Sequence, residues 1–334
     1  MKRLAGRVVV TMAAALMAAQ AAAADLEQVY RDALAYDAAL AAARAAADAG
    51  REKLPQGRAG LLPSLNLTGN SSWNDVNLKH YDVTRGYNNN GWQVQLTQPL
   101  FRWQNWVQYK QGEMQVALAE AQYQLARQDL TLRAAQAYFD VLVAQDVLAA
   151  ARALQEANTQ QLALAKKSFE VGTATITDTH EAQSRYDLAS AQELAGENDL
   201  EVKRYVLRQI VGKELGELHR LKADAVLQPP QPASMEQWVA AAEKDSFTVQ
   251  AQQAAFEVAD REVERARSGH YPTLDVVANY GKTNGALSIA SNAGLETDVR
   301  NIGLQLSIPI YQGGAVNSKT REAIANRSAA QSGL

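Results

Sequence analysis

The chain repeats itself at a fixed separation, which constrains its fold more than any single motif. Leu26-Glu27-Gln28 returns as Met235-Glu236-Gln237, and Leu62-Pro63-Ser64-Leu65 as Tyr271-Pro272-Thr273-Leu274, both at an offset of 209. Gln95-Leu96-Thr97-Gln98-Pro99-Leu100-Phe101 matches Gln305-Leu306-Ser307-Ile308-Pro309-Ile310-Tyr311 at an offset of 210. Three landmarks in one order imply two copies of one structural unit, residues 25–234 and 235–334. The first copy continues well past Pro99, whereas the chain ends soon after Pro309. The second copy is therefore expected to lack roughly the last 105 residues of the unit, including most of its helical hairpin.

The N-terminus has the layout of an export signal, residues 1–24. Lys2, Arg3 and Arg7 form a basic region, Val8 to Ala19 an apolar stretch, and Ala22-Ala23-Ala24 a small-residue cleavage site before Asp25. The chain has no cysteine, which excludes disulfides and a lipid on an N-terminal cysteine. The net charge is −3, or −6 without the three basic residues of the signal, which argues against nucleic acid as a partner. No later apolar run approaches the length of a membrane-spanning helix.

Residues 102–170 contain no proline and a single glycine, Gly112, and are rich in helix-favouring Ala, Gln, Leu, Glu and Arg. Leu118, Leu125, Leu132 and Phe139 recur every seven residues, with Ala121, Gln128, Ala135 and Leu142 three further on. This spacing predicts a coiled-coil seam. A continuous helix here would be roughly 105 Å long. The path reverses at Val171-Gly172-Thr173-Ala174-Thr175-Ile176-Thr177-Asp178, where Gly172 stops one helix and Thr177 or Asp178 caps another, beginning near Thr179 and running to Val211.

Four segments alternate with a period of two. Leu65 and Leu67 oppose Asn66 and Thr68, and Val94 and Leu96 oppose Gln93 and Gln95. In the second copy Leu274 and Val276 oppose Asp275, while Leu304 and Leu306 oppose Gln305 and Ser307. Each strand therefore has two unlike faces. One is apolar and the other carries mostly uncharged Asn, Gln, Ser and Thr, with aromatic residues near the strand ends, which favours a membrane barrel over a soluble sheet. Four strands cannot close a barrel, so the chain is expected to oligomerise. Pro63, Pro99, Pro272 and Pro309 mark the expected junctions between strands and helices, with loops over about 76–90 and 283–298 on the far side.

Together these features resemble the TolC family of outer-membrane efflux and type I secretion ducts, over the whole mature chain. The resemblance implies an α+β membrane protein, a long α-helical hairpin barrel in the periplasm continued by an antiparallel transmembrane β-barrel. Three protomers of four strands each would close the barrel, in the outer membrane of a Gram-negative cell. It implies passive export, with a periplasmic adaptor protein and an inner-membrane pump as partners, and no cofactor or bound metal. By the same resemblance Val171, Gly172 and Thr173 correspond to the adaptor-docking tip, and Asp178 to a polar contact that holds the periplasmic end closed. Segment 213–234, ending Gln228-Pro229-Pro230-Gln231-Pro232, resembles the belt around the tube's middle.

Rival readings lack a constellation to carry them. His80, His180, His219 and His270 have no metal-ligand spacing, and no glycine-rich phosphate loop follows a strand, so the chain does not read as an enzyme. The alternative is a periplasmic coiled-coil adaptor or a structural or adhesive outer-membrane protein, against which the proline-bounded strand pairs weigh.

Overall fold

The computed structural model describes residues 24–79, 83–221, 228–288 and 291–334, so nearly all of the expected export signal lies outside the described residues. The elements run α1 (Leu26–Tyr36), α2 (Ala38–Arg51), α3 (Lys53–Ala59), β1 (Ser64–Leu78), β2 (Val83–Phe101), α4 (Trp103–Glu170) and α5 (Ile176–Val211). The order then recurs as α6 (Met235–Asp245), α7 (Phe247–Arg267), β3 (Thr273–Ser288), β4 (Ser291–Ser307) and α8 (Ala315–Gly333). By their contacts the residues divide into two compact units.

The first unit comprises the chain up to Arg44 and Tyr123–Ala233. Its core joins Val29, Ala33 and Leu40 to Leu130, Ala134, Ala137, Val141, Ala144 and Leu148 of α4, and to Leu200, Leu207 and Ile210 of α5. Leu130, Ala137 and Ala144 recur every seven residues, as do Ala134, Val141 and Leu148, so α4 does carry a heptad seam. It is the expected one only in part: Leu142 of the expected seam lies in this core, but the heptad leucine and phenylalanine positions do not. Leu130 is fully buried, whereas Leu132 is 72% exposed and Phe139 36% exposed. Two residues turn a helix through roughly 200°, so a stripe displaced by two positions lies on the opposite face. The expected stripe through Leu132 and Phe139 thus points away from the core of its own unit.

One carboxylate organises the start of this unit. Asp37 interrupts α1 and α2, and its Oδ1 accepts from the backbone N–H of Leu40 at 2.7 Å, capping α2. The Arg133 guanidinium of α4 donates to both carboxylate oxygens, at 3.0 and 3.1 Å. Arg133 also reaches Asp129 at 2.6 Å. The guanidinium beside Asp37 holds that carboxyl below its ordinary range, against the opposing effect of burial. Further on, the segment after α5 is not a free connector. Ala24 forms an isolated bridge with Leu218, Tyr138 donates its hydroxyl to the carbonyl of His219 at 2.6 Å, and Leu218 is buried.

The second unit comprises Ala45–Gln122 and Ser234–Leu334 and contains the sheet, in the order β1-β2-β3-β4, all antiparallel. The segments expected to be loops at 76–90 and 283–298 are strand at most described positions. Asparagine and glycine weaken the alternation there without interrupting the backbone pairing. Asn77 lies opposite Thr84 and donates to its hydroxyl at 2.9 Å, and Asn88 donates to Ser71 at 3.1 Å. Pro63 and Pro272 directly precede β1 and β3, and Pro309 lies two residues beyond β4. Pro99 instead lies inside β2, where the ladder to β3 shifts register between Pro99 and Phe101. A proline has no N–H to give, and an irregularity in the ladder is where a central strand can hold one.

The two strand-to-helix junctions differ. Between β2 and α4 stands only Arg102, whose guanidinium donates to both oxygens of buried Asp275 on β3, at 2.7 and 2.6 Å. Between β4 and α8 run seven residues, ending in Gly313 and Gly314 with φ of 60° and 79°.

The Asp37 site gives a stability prediction. Asp37→Ala removes a helix cap and leaves Arg133 without its buried partner, and should cost about 2–4 kcal/mol. Asp129→Ala, which removes an exposed partner of the same arginine, should cost less than about 1 kcal/mol. Thermal loss of helical circular dichroism in detergent, compared for the two variants, checks this; equal shifts would refute the ranking.

Candidate functional site

Two surfaces are candidates for function, the faces of the sheet and the tip of the α4–α5 hairpin. In an antiparallel ladder directly opposed residues share a face. Leu65 opposes Leu96, Leu96 opposes Ala278, and Ala278 opposes Ile302; Leu67, Val94, Tyr280 and Arg300 form the next row. Val276 opposes Leu304 and Leu274 opposes Leu306. The register therefore brings all eight sequence-predicted apolar strand residues, Leu65, Leu67, Val94, Leu96, Leu274, Val276, Leu304 and Leu306, onto one face of one sheet. That face is uncovered in the single chain: Leu67 is 72% and Ile302 77% exposed. From Leu274 to Tyr280 is about 20 Å along the strand, close to the apolar band of roughly 25 Å on an outer-membrane barrel.

The opposite face is a row of amides. Asn66 opposes Gln95, Gln95 opposes Asn279, and Asn279 opposes Asn301. Gln93 donates to Asn279 Oδ1 at 2.9 Å, and the Asn279 amide donates to Asn301 Oδ1 at 2.8 Å. Such side chains hydrogen-bond water or one another without carrying charge. The alternation in the sequence announced the two faces; the pairing that links the two repeats through β2 and β3 had no local signal.

At the hairpin tip, α4 ends in a left-handed glycine. Gly172 has φ +76°, its N–H reaches the carbonyl of Phe169 at 3.0 Å, and that of Thr173 reaches Ser168 at 2.8 Å. This pair of bonds is the Schellman arrangement, which needs a residue tolerant of positive φ at Gly172. The cap of α5 differs from expectation. Thr175, not Thr177 or Asp178, is the N-cap, and the helix begins at Ile176. Asp178 completes a capping box: its carboxylate accepts from Thr175 N–H and Oγ1 at 2.8 Å each, while Thr175 Oγ1 accepts from Asp178 N–H at 3.2 Å. The Thr-x-x-Asp spacing in the sequence carries this signal. Val171, 74% exposed, stands beside exposed Gly172 and Thr173, presenting a small and partly apolar surface.

The sequence profile of the family described as outer membrane efflux protein matches residues 29–213 and 238–334. The chain belongs to the outer membrane efflux protein family. It is 32% identical to the proteases secretion protein PrtF of Dickeya chrysanthemi, over 98% of this chain and 72% of that protein. It is 32% identical to the outer membrane protein TolC of Vibrio cholerae, over 90% of this chain and 68% of TolC. With the alkaline protease secretion protein AprF of Pseudomonas aeruginosa it shares 33% identity, over 83% of this chain and 59% of AprF. Among solved structures it superposes on the Campylobacter jejuni outer membrane channel CmeC with a TM-score of 0.77 at 16% identity, over 92% of this chain and 66% of that one. On the outer membrane protein VceC of Vibrio cholerae the TM-score is 0.71 at 18% identity, over 92% and 74%. These two likenesses concern the fold. As a member of this family the chain is an outer-membrane protein of the efflux and secretion type and not an enzyme. No helix among the described residues is long and apolar enough to cross a membrane.

The capping box makes the tip sensitive to acid. The hydrogen bonds from Thr175 hold the Asp178 carboxyl below its ordinary value. A carboxyl lowered on folding stabilises above its unfolded pKa, about 3.9, and that contribution is lost as pH falls through the folded value. Hydrogen exchange at residues 175–179 should therefore accelerate below about pH 4 relative to the middle of α5, and Asp178→Asn should flatten the dependence. An unchanged profile in the variant would show that Asp178 is not responsible.

Proposed function

We propose that this protein is the outer-membrane exit duct of a tripartite efflux pump or type I secretion system. It would pass small molecules or proteins handed over by a periplasmic adaptor and an inner-membrane pump. The observation that carries the reading is the sheet: one face with an apolar band in register, the other with a row of neutral amides, and edges at β1 and β4 that no strand among the described residues pairs. Each unpaired backbone group in hydrocarbon costs several kcal/mol, so the edges call for partner strands. Three copies supplying four strands each would close a barrel with lipid on the apolar face and water on the amide face. The exposed stripe through Leu132 and Phe139 suits a contact with a neighbouring copy. In this reading residues 1–24 direct export, residues 25–234 and 235–334 act as equivalent repeats, and Pro63, Pro99, Pro272 and Pro309 lie at the periplasmic side of the barrel.

Chemical cross-linking of the full chain extracted from outer membranes should give a trimer; monomer alone at every cross-linker concentration would overturn the assembly.

Val171, Gly172 and Thr173 are proposed as the adaptor-docking tip, and Asp178 as a contact of the closed periplasmic end. The exposure of the first three supports docking, while the engagement of Asp178 by Thr175 leaves its carboxylate positioned at the very start of α5. Gly172→Pro cannot adopt a φ of +76° and should weaken adaptor binding at least severalfold while leaving membrane insertion intact. Normal adaptor pull-down by this variant would remove the tip from the docking site.

A further inference from the structure

We propose that Arg300, supported by Tyr280 and Trp92, binds the phosphate headgroup of an anionic membrane lipid. The inference rests on the reading that the apolar face of the sheet meets the bilayer. On that face the row Leu67, Val94, Tyr280 and Arg300 is apolar except at its last member. From Arg300 toward the helices, β4 carries Ile302, Leu304 and Leu306; away from them, the same face carries Asp298 and Glu296. Arg300 thus stands at the step where the face changes from apolar to charged.

Its surroundings fix it there. The guanidinium lies over the Tyr280 ring, 5.2 Å from the centroid, and Tyr280 meets Trp92 edge-to-face at 5.5 Å and 73°. Lys282, opposite Trp92, is ion-paired with Glu296. Among the described residues no carboxylate ion-pairs with Arg300. A cation on the lipid face of a barrel is costly at mid-membrane and tolerated near the interface, and Tyr and Trp concentrate at the same level. A guanidinium held over an aromatic ring by its charge still has N–H donors to offer, and its fork matches two phosphate oxygens. Asp298 and Glu296 nearby cancel net charge, so recognition rests on the guanidinium fork and not on a general attraction for anions. A free phosphate offers the same oxygens but no acyl chains to cover Trp92, Tyr280 and Ile302, which favours the lipid.

The test uses the full chain in mixed micelles containing equal phosphatidylcholine and phosphatidylglycerol, with retained lipid identified by native mass spectrometry. The unaltered chain should retain phosphatidylglycerol over phosphatidylcholine by roughly tenfold, about the effect of one charge-assisted contact. Arg300→Gln should bring the ratio to within about twofold, and Arg300→Lys should restore part of it. Equal ratios for the unaltered chain and Arg300→Gln overturn the proposal. So does loss of the preference when excess inorganic phosphate is added, which would identify the ligand as a free anion. If Arg300→Gln instead weakens cross-linking between copies with the lipid ratio unchanged, the arginine serves a second copy and the proposal fails. The underlying reading is tested separately by quenching with brominated phosphatidylcholine bilayers. Quenching that disappears in Trp92→Phe places the face in lipid, whereas absence of any Trp92-dependent quenching sinks that reading, whatever the headgroup ratio shows.

Discussion

The obligation to pair every backbone N–H and C=O is the constraint on which the rest of this structure depends. Within the sheet the obligation is met: β1, β2, β3 and β4 form one continuous antiparallel ladder. At its two outer edges it is met by no strand among the described residues. In water an exposed edge is tolerable, but on a sheet whose one face carries Leu65, Leu67, Leu304 and Leu306 in register, water is the wrong solvent for that face. The edges and the apolar face make a joint demand that only a closed ring of strands within a bilayer satisfies. In the proposed assembly, oligomerisation is thus tied to membrane insertion by the same set of residues.

The helical unit solves a different problem with different side chains. Its core is rich in alanine, with Ala33, Ala134, Ala137, Ala144 and Ala189 all buried, so the helices approach closely and little apolar bulk is enclosed. Gly196 of α5 is buried beside Leu148 in the same way. Specificity comes instead from a few directional contacts. Asp37 with Arg133 fixes the start of α2 against α4, and Arg152 bridges to Glu193 and Glu197 at 3.2 and 2.6 Å. Such contacts set the relative rotation of neighbouring helices more tightly than small apolar knobs do.

Much of this was legible in the sequence. The period-two runs located all four strands, because alternation is a direct consequence of one face being apolar. The glycine and threonines of the turn located the hairpin, because positive φ and a free helix N-terminus restrict residue choice. The heptad was legible in period but not in phase: α4 carries two apolar stripes, and local spacing does not say which is covered by its own chain. Strand ends were missed where Asn, Gly and Thr occupy both faces, since pairing there is carried by the backbone and by amide bonds such as Asn77 to Thr84. The Arg102–Asp275 pair joins residues 173 positions apart, and no local pattern announces it.

That pair has a mechanical consequence. A single residue separates β2 from α4, and its side chain is clamped at two points to β3, so this elbow has almost no slack. The equivalent passage in the second repeat is longer and ends in two glycines with positive φ and open space around each. The two hand-over points therefore differ in compliance: the first transmits a twist of its helix directly into the sheet, and the second absorbs it.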